Sequence, residues 1–142
     1  MKRVAIALSV LLLFTMWPKT AATQTQQKPE ELAQKSAEAW LDLTDSGKYA
    51  ESWDEASQLF KNAVTRQQWL SKIKAARTPF GKVHSRKLRS ATYSKTLPGA
   101  PDGDYVVIQY DTSFENKASA VETITPMLDK DGKWRVSGYF IK

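Results

Sequence analysis

The sequence predicts an α+β protein, with two to three N-terminal helices packed on the concave face of a curved four-stranded antiparallel sheet. Three observations point there. Apolar residues recur at helical spacing as far as Arg77. From Lys82 onward the period falls to two. Residues 104–142 then hold alternating patterns separated by the turn sequences Glu115-Asn116-Lys117 and Asp129-Lys130-Asp131-Gly132. Helices followed by strands is the order of a segregated α+β fold. With 142 residues the chain suits one domain and needs no covalent staple. There is no cysteine, which excludes a thiol nucleophile, a disulfide framework and thiolate metal sites.

The first 22 residues are expected to be a secretory signal. Lys2 and Arg3 precede an uncharged, mostly apolar run of 14 residues (4–17), and Thr20-Ala21-Ala22 supplies small residues for cleavage near Ala22. That run is short of the ~20 residues of a membrane-spanning helix. The expected location is therefore periplasmic or secreted. Residues 23–28 read as a flexible polar tether, and 29–142 as the single domain.

Pro29 suits a first helical position, with Glu30 and Glu31 facing the positive end of the helix dipole. Leu32, Ser36, Trp40 and Leu43 form a stripe, with Ala33, Ala37 and Leu41 beside it, and Gly47 fits the turn that ends the helix. Tyr49, Trp53, Ala56 and Phe60 predict a second helix continuing to Ala63. Thr65 and Gln68 have capping-box spacing and open a third. It turns Trp69, Leu70, Ile73 and Ala76 inward and Arg66, Lys72, Lys74 and Arg77 largely outward. Pro79 stops it.

Residues 82–97 form a weak strand pattern, expected as a bulged or exposed edge. Residues 97–103 are a loop. In the next strand Val106, Ile108, Tyr110, Thr112 and Phe114 share a face. Residues 119–128 are strand again, with Pro126 implying an edge or a bulge. In the last strand Trp134, Val136, Gly138 and Phe140 alternate with Arg135, Ser137, Tyr139 and Ile141. Trp40, Trp53, Trp69, Phe114 and Phe140 are the expected core aromatics.

Several segments in this order carry a family resemblance: Trp40-Leu41, Gly47-Lys48-Tyr49, Ser52-Trp53, Arg77-Thr78-Pro79-Phe80-Gly81, the 97–103 loop, Thr112-Ser113-Phe114-Glu115-Asn116-Lys117 and Trp134-Arg135-Val136-Ser137-Gly138-Tyr139. Together they resemble the bacterial family known as domain of unknown function 4019, over roughly residues 31–142. The resemblance implies a small exported protein and a relative of the nuclear-transport-factor-2-like, cystatin-like cone fold. It implies no activity, and that fold hosts enzymes and plain binding domains alike.

Charge is unevenly distributed. Residues 65–97 contain nine Lys and Arg and no acid, whereas residues 23–64 contain four basic and eight acidic groups. Arg66, Lys72, Lys74, Arg77, Lys82, Arg86, Lys87 and Arg89 are the candidate anion-binding set, with Lys95 completing the block. Its expected partners are an anionic lipid, lipopolysaccharide or an acidic protein, with at most peripheral membrane contact. The competing use is internal pairing with the acidic first helices. Nucleic acid is a poor partner for an exported chain without a recognition motif.

For catalysis the candidates are Glu122, an acid on the otherwise apolar row of Ala120, Ile124 and Leu128, and Tyr110 on the neighbouring strand. The plainer alternative places Glu122 in solvent or in a salt bridge. His84, the single histidine, reads as a solvated strand residue, and no His cluster suggests a metal. The 129–132 sequence lacks the closing Glu of a calcium loop and reads as a turn. Neither cofactor nor metal is expected. The function expected is binding of an anionic partner through the basic block. The alternatives are a cone-fold enzyme using Glu122 as acid/base, and a periplasmic inhibitor or immunity protein.

Overall fold

The computed structural model describes residues 27–142. The expected signal (1–22) and most of the tether lie outside the described residues. Four helices and a short 3-10 turn precede four strands: α1 (Pro29–Asp45), α2 (Tyr49–Asp54), α3 (Gln58–Ala63), α4 (Arg66–Arg77), then β1 (Val83–Ser94), β2 (Tyr105–Phe114), β3 (Lys117–Leu128) and β4 (Trp134–Ile141). The strands form one antiparallel sheet in the order β1-β2-β3-β4, a simple meander. The helices cover one face of this curved sheet, so the fold is the α+β arrangement read from the sequence, with one helix more.

The extra helix comes from a break in the predicted second one. The Ser57 backbone N–H donates to the Val136 carbonyl of β4 at 2.9 Å, and its hydroxyl caps α3 by accepting from the Phe60 N–H at 3.2 Å. A continuous helix would have kept that N–H for its own ladder. The break thus ties the helical layer to the sheet. The third predicted helix is α4, and both reciprocal bonds of the Thr65/Gln68 capping box form. Its buried positions are Trp69, Ile73 and Arg77, spaced four apart, while Ala76 is exposed. The inward stripe therefore includes a charged residue in place of the expected alanine.

After α4 the chain turns through Thr78–Phe80 and Gly81. Gly81 has φ 72° and ψ −151°, a region open in practice only to glycine. A Cβ there would also lie 2.6 Å from a Glu115 carboxylate oxygen. The corner has to approach this closely because the Glu115 and Asn116 N–H groups bond back to the Lys82 and Phe80 carbonyls, at 2.8 and 2.9 Å.

The core joins Ala33, Ala37, Trp40 and Leu41 of α1 to Val106, Ile108 and Tyr110 of β2, Ile124 of β3 and Val136 of β4. Trp40 and Trp69 stand 5.7 Å apart between ring centroids, Trp40 and Tyr139 5.3 Å, and Phe60 and Trp69 4.9 Å. The space under the helices is filled by these rings. Each fully buried large side chain contributes about 1.5–3 kcal/mol.

Two expectations about the core are corrected. Leu32 is 38% exposed, because the buried face of α1 is centred on Ala33, Ala37, Trp40, Leu41 and Thr44. Phe140 is 50% exposed, and Tyr139 packs against Trp40 in its place. The cause is a register shift on the β3–β4 pair: Thr125 faces Gly138, but Pro126 faces Val136. One residue is accommodated as a bulge, and an odd insertion exchanges the two faces of everything beyond it. Pro126, lacking an N–H, sits at that interruption within a central strand, so of the two alternatives it marks a bulge.

Candidate functional site

Beneath α1 and α4 the sheet holds a cluster of ionised groups. Glu122, in the middle of β3, is fully buried. Thr112 lies on β2 and Tyr139 on β4, so both strands that flank Glu122 contribute a hydroxyl to it. The Thr112 hydroxyl donates to one carboxylate oxygen and the Tyr139 hydroxyl to the other, each at 2.5 Å. Arg86 of β1 reaches over β2 and donates from Nε at 2.6 Å and Nη2 at 3.1 Å, one bond to each oxygen. Four donors therefore occupy the four acceptor directions of this carboxylate.

Arg86 also grips Asp45, at the last residue of α1, through Nη1 at 2.7 Å and Nη2 at 3.1 Å. Arg77, the last residue of α4, donates to Asp45 at 2.7 Å and to the Thr44 hydroxyl at 3.3 Å. Its guanidinium lies 5.2 Å from the Phe114 ring centroid. Two arginines and two carboxylates thus form a charge-balanced chain from the helix ends to the middle of the sheet. It ties β1, β3, α1 and α4 together.

Burial by itself would raise the Asp45 carboxyl. Hydrogen bonds and charge from Arg86 and Arg77 outweigh it and hold the group below the ordinary carboxylate value of 3.8. Burial, and after it the Glu122 charge, pushes the Tyr139 hydroxyl far above its ordinary range, so it stays a donor. Tyr110 is pushed up to about 12, chiefly by burial and then by the charge of Glu38. Its hydroxyl is buried without a hydrogen-bond partner among the described residues, as is Nε of Arg77.

A lowered Asp45 pKa stabilises the fold above the unfolded-state value near ~3.9, and that contribution is lost as pH falls through the lower folded value. The urea midpoint should accordingly fall as the solution is taken below about pH 4. In Asp45→Asn the acid limb should flatten, while stability at neutral pH drops by ~1–3 kcal/mol from the weakened charged hydrogen bonds. Equal acid slopes in the two proteins would contradict this role for Asp45.

The two catalytic candidates are brought together, since Tyr110 and Glu122 are directly opposed across β2 and β3. It is Tyr139, however, that bonds to Glu122. The sequence reading missed Tyr139, Asp45 and Thr112 as members of the cluster. Thr112 was legible from its position on the inward face of β2, whereas Tyr139 was hidden by the bulge.

In the basic block all four arginines and Lys95 are paired with carboxylates, and among the described residues the other four lysines are not. Arg66 pairs with Asp54 at 3.2 Å, Arg77 with Asp45, Arg86 with Asp45 and Glu122, and Arg89 with Asp111 at 3.1 Å. Arg77 and Arg86 thus point into the protein. Lys95 pairs with Asp104 at 2.7 Å. Lys72, Lys74, Lys82 and Lys87 are exposed and have no carboxylate partner among the described residues. His84 is exposed. Asp129 and Asp131 both pair with Arg135. The Arg135 hydrogen bond, with one from the Lys133 N–H, brings Asp131 down to about 2. No group of three or more His, Asp or Glu is gathered for a metal among the described residues. Nor is any helix among them long and apolar enough to cross a membrane.

Fold and site together define an α+β domain in which a helical layer is fastened to a meandering sheet by a neutral ion chain. The chain belongs to the family described as protein of unknown function (DUF4019), which matches residues 36–139. A comparison with curated proteins finds no match.

Proposed function

We propose that the protein is an exported binding protein that recognises an anionic lipid surface through the lysines of α4 and the start of the sheet. The carrying observation is the division within the basic block. Its four arginines are engaged by carboxylates of the same chain, whereas Lys72, Lys74, Lys82 and Lys87 are exposed without one among the described residues. Lysine is a hydrated point charge on a flexible stem, suited to delocalised attraction by an anionic surface. Export rests on the signal-like residues 1–22, and the nuclear-transport-factor-2-like cone is the scaffold this reading adopts. The order of helices and meander supports that choice.

The catalytic alternative has less support. Glu122 is interior, but its acceptor directions are already occupied by Arg86, Thr112 and Tyr139. A proton carrier needs a free direction toward its substrate.

Sedimentation with vesicles of phosphatidylglycerol and phosphatidylcholine tests the proposal. Binding should weaken steeply between about 0.01 M and about 1 M salt, as the screening length contracts from about 30 Å to about 3 Å. At ~1 kcal/mol per lysine near the surface, and with each charge reversed as well as lost, a Lys72→Glu, Lys74→Glu, Lys82→Glu variant should bind at least roughly 100-fold more weakly. Binding that ignores salt, or survives that variant, overturns the reading. Salt-sensitive binding to polyglutamate with none to vesicles would replace lipid by an acidic protein.

A further inference from the structure

Between α4 and β4 runs an apolar groove of about 430 Å³. It is lined by Ile73 and Ala76 of α4, by Tyr139, Phe140 and Ile141 of β4, and by Phe80. It exists because the bulge at Pro126 turned Tyr139 inward and left Phe140 facing out at the sheet margin. No carboxylate lines it. Lys72 stands in its wall, Lys117 Nζ lies 5.4 Å from the Phe80 ring centroid, and Lys142 Nζ lies 5.6 Å from that of Phe140. This mainly apolar groove, whose charged lining is cationic, differs from the larger one of about 960 Å³ beside α3, whose lining mixes Asp54, Asp102, Asp129 and Asp131 with basic residues.

We infer that the groove between α4 and β4 binds a single-chain anionic amphiphile, an alkyl carboxylate of fatty-acid type. The volume falls within the range of roughly 300–1,000 Å³ typical of small-molecule sites. The alkyl chain lies along Ile73, Ala76 and Phe140, where it removes apolar surface from water on both sides. The carboxylate is held at the rim by Lys72, and the Lys117 ammonium, seated against the groove-lining Phe80 ring, adds positive charge beside it. The volume suits one alkyl chain, which favours a free amphiphile over a two-chain phospholipid. The inference rests on the proposed anion-seeking role of this face and specifies a ligand for it.

Isothermal titration of the full-length mature chain with octanoate, decanoate and laurate tests it. Saturable binding is expected, with affinity rising roughly fourfold per methylene. Dodecyl maltoside, with the same chain and a neutral head, should bind at least about tenfold more weakly. Lys72→Glu with Lys117→Glu should weaken laurate by at least about tenfold. A brominated laurate should quench the groove-lining Trp69. Ala76 is exposed, so Ala76→Trp fills the groove without disturbing the core. It should abolish laurate binding and leave the salt-sensitive vesicle binding intact. The inference is overturned if laurate does not saturate below its own aggregation, if affinity ignores chain length, or if Ala76→Trp binds as the parent does. Vesicle binding that persists while laurate fails removes the groove ligand alone. Laurate binding without vesicle binding removes the surface reading and keeps the groove.

Discussion

Glu122→Gln should lose ~3–5 kcal/mol of stability, the cost of leaving a buried charge without its counter-ion. An amide cannot replace this carboxylate in either orientation. Each oxygen of Glu122 accepts one Arg86 N–H and one hydroxyl. A hydroxyl can rotate and accept from the new NH2 group, but a guanidinium N–H can only donate. One arginine donor therefore faces another donor whichever way the amide is placed, and the ion chain is left with a net positive charge. Arg86→Met should be comparably damaging, since it leaves Glu122 with two hydroxyls and no cation in contact. The double variant Arg86→Met, Glu122→Met is the informative one. It removes one charge of each sign and leaves Arg77 paired with Asp45, so most of the loss should be recovered. Urea unfolding of the parent, Arg86→Met, Glu122→Met and the double variant closes the cycle, with Glu122→Gln measured beside it. A Glu122→Gln loss under about 1 kcal/mol, or simple additivity in the double variant, would show that the cluster is not a coupled unit.

Trp40→Ala should lose ~3–5 kcal/mol, the range for deleting a large buried aromatic. Trp40 is 3% exposed and touches both layers, stacking near Trp69 of α4 and Tyr139 of β4. Its indole N–H donates to the Ser52 carbonyl at 2.7 Å, which would be left without that partner. The second consequence is positional. Tyr139 is held by Trp40 on one side and bonded to Glu122 on the other, so the cavity loosens a donor of the ion chain. Trp40→Phe keeps a ring and loses the N–H, and should cost less, ~1–3 kcal/mol. Denaturant melts with near-UV circular dichroism of the tryptophan cluster measure both. Equal losses in the two variants would mean that the hydrogen bond, and not the packed volume, dominates at this position.

Much of the fold was legible from local signals. The Thr65/Gln68 box, the stop at Pro79, the strand period and the two hairpin turns act over a few residues, and the corresponding elements form as read. The errors have one physical origin. Ser57 left its helix to bond to Val136, Phe140 was displaced outward by a bulge opposite Pro126, and Arg77 turned inward toward Asp45. Each depends on a partner in another element: Arg77 and Asp45 lie 32 residues apart, and the displacement of Phe140 is set by how β4 pairs with β3.

The helical and strand periods, the turns, the absence of thiol chemistry and the concentration of cations between residues 65 and 97 can all be read from the order of residues alone. How those cations are used depends on contacts between elements distant in the chain. Arg77 is buried and Arg86 mostly so, each on carboxylates of the same chain, and Lys72 and Lys74 remain outside. The reason is that a charge enters the low-dielectric interior only where an opposite charge meets it with matching hydrogen bonds. Asp45 and Glu122 provide that match from other elements, through an arrangement that a linear spacing rule does not encode.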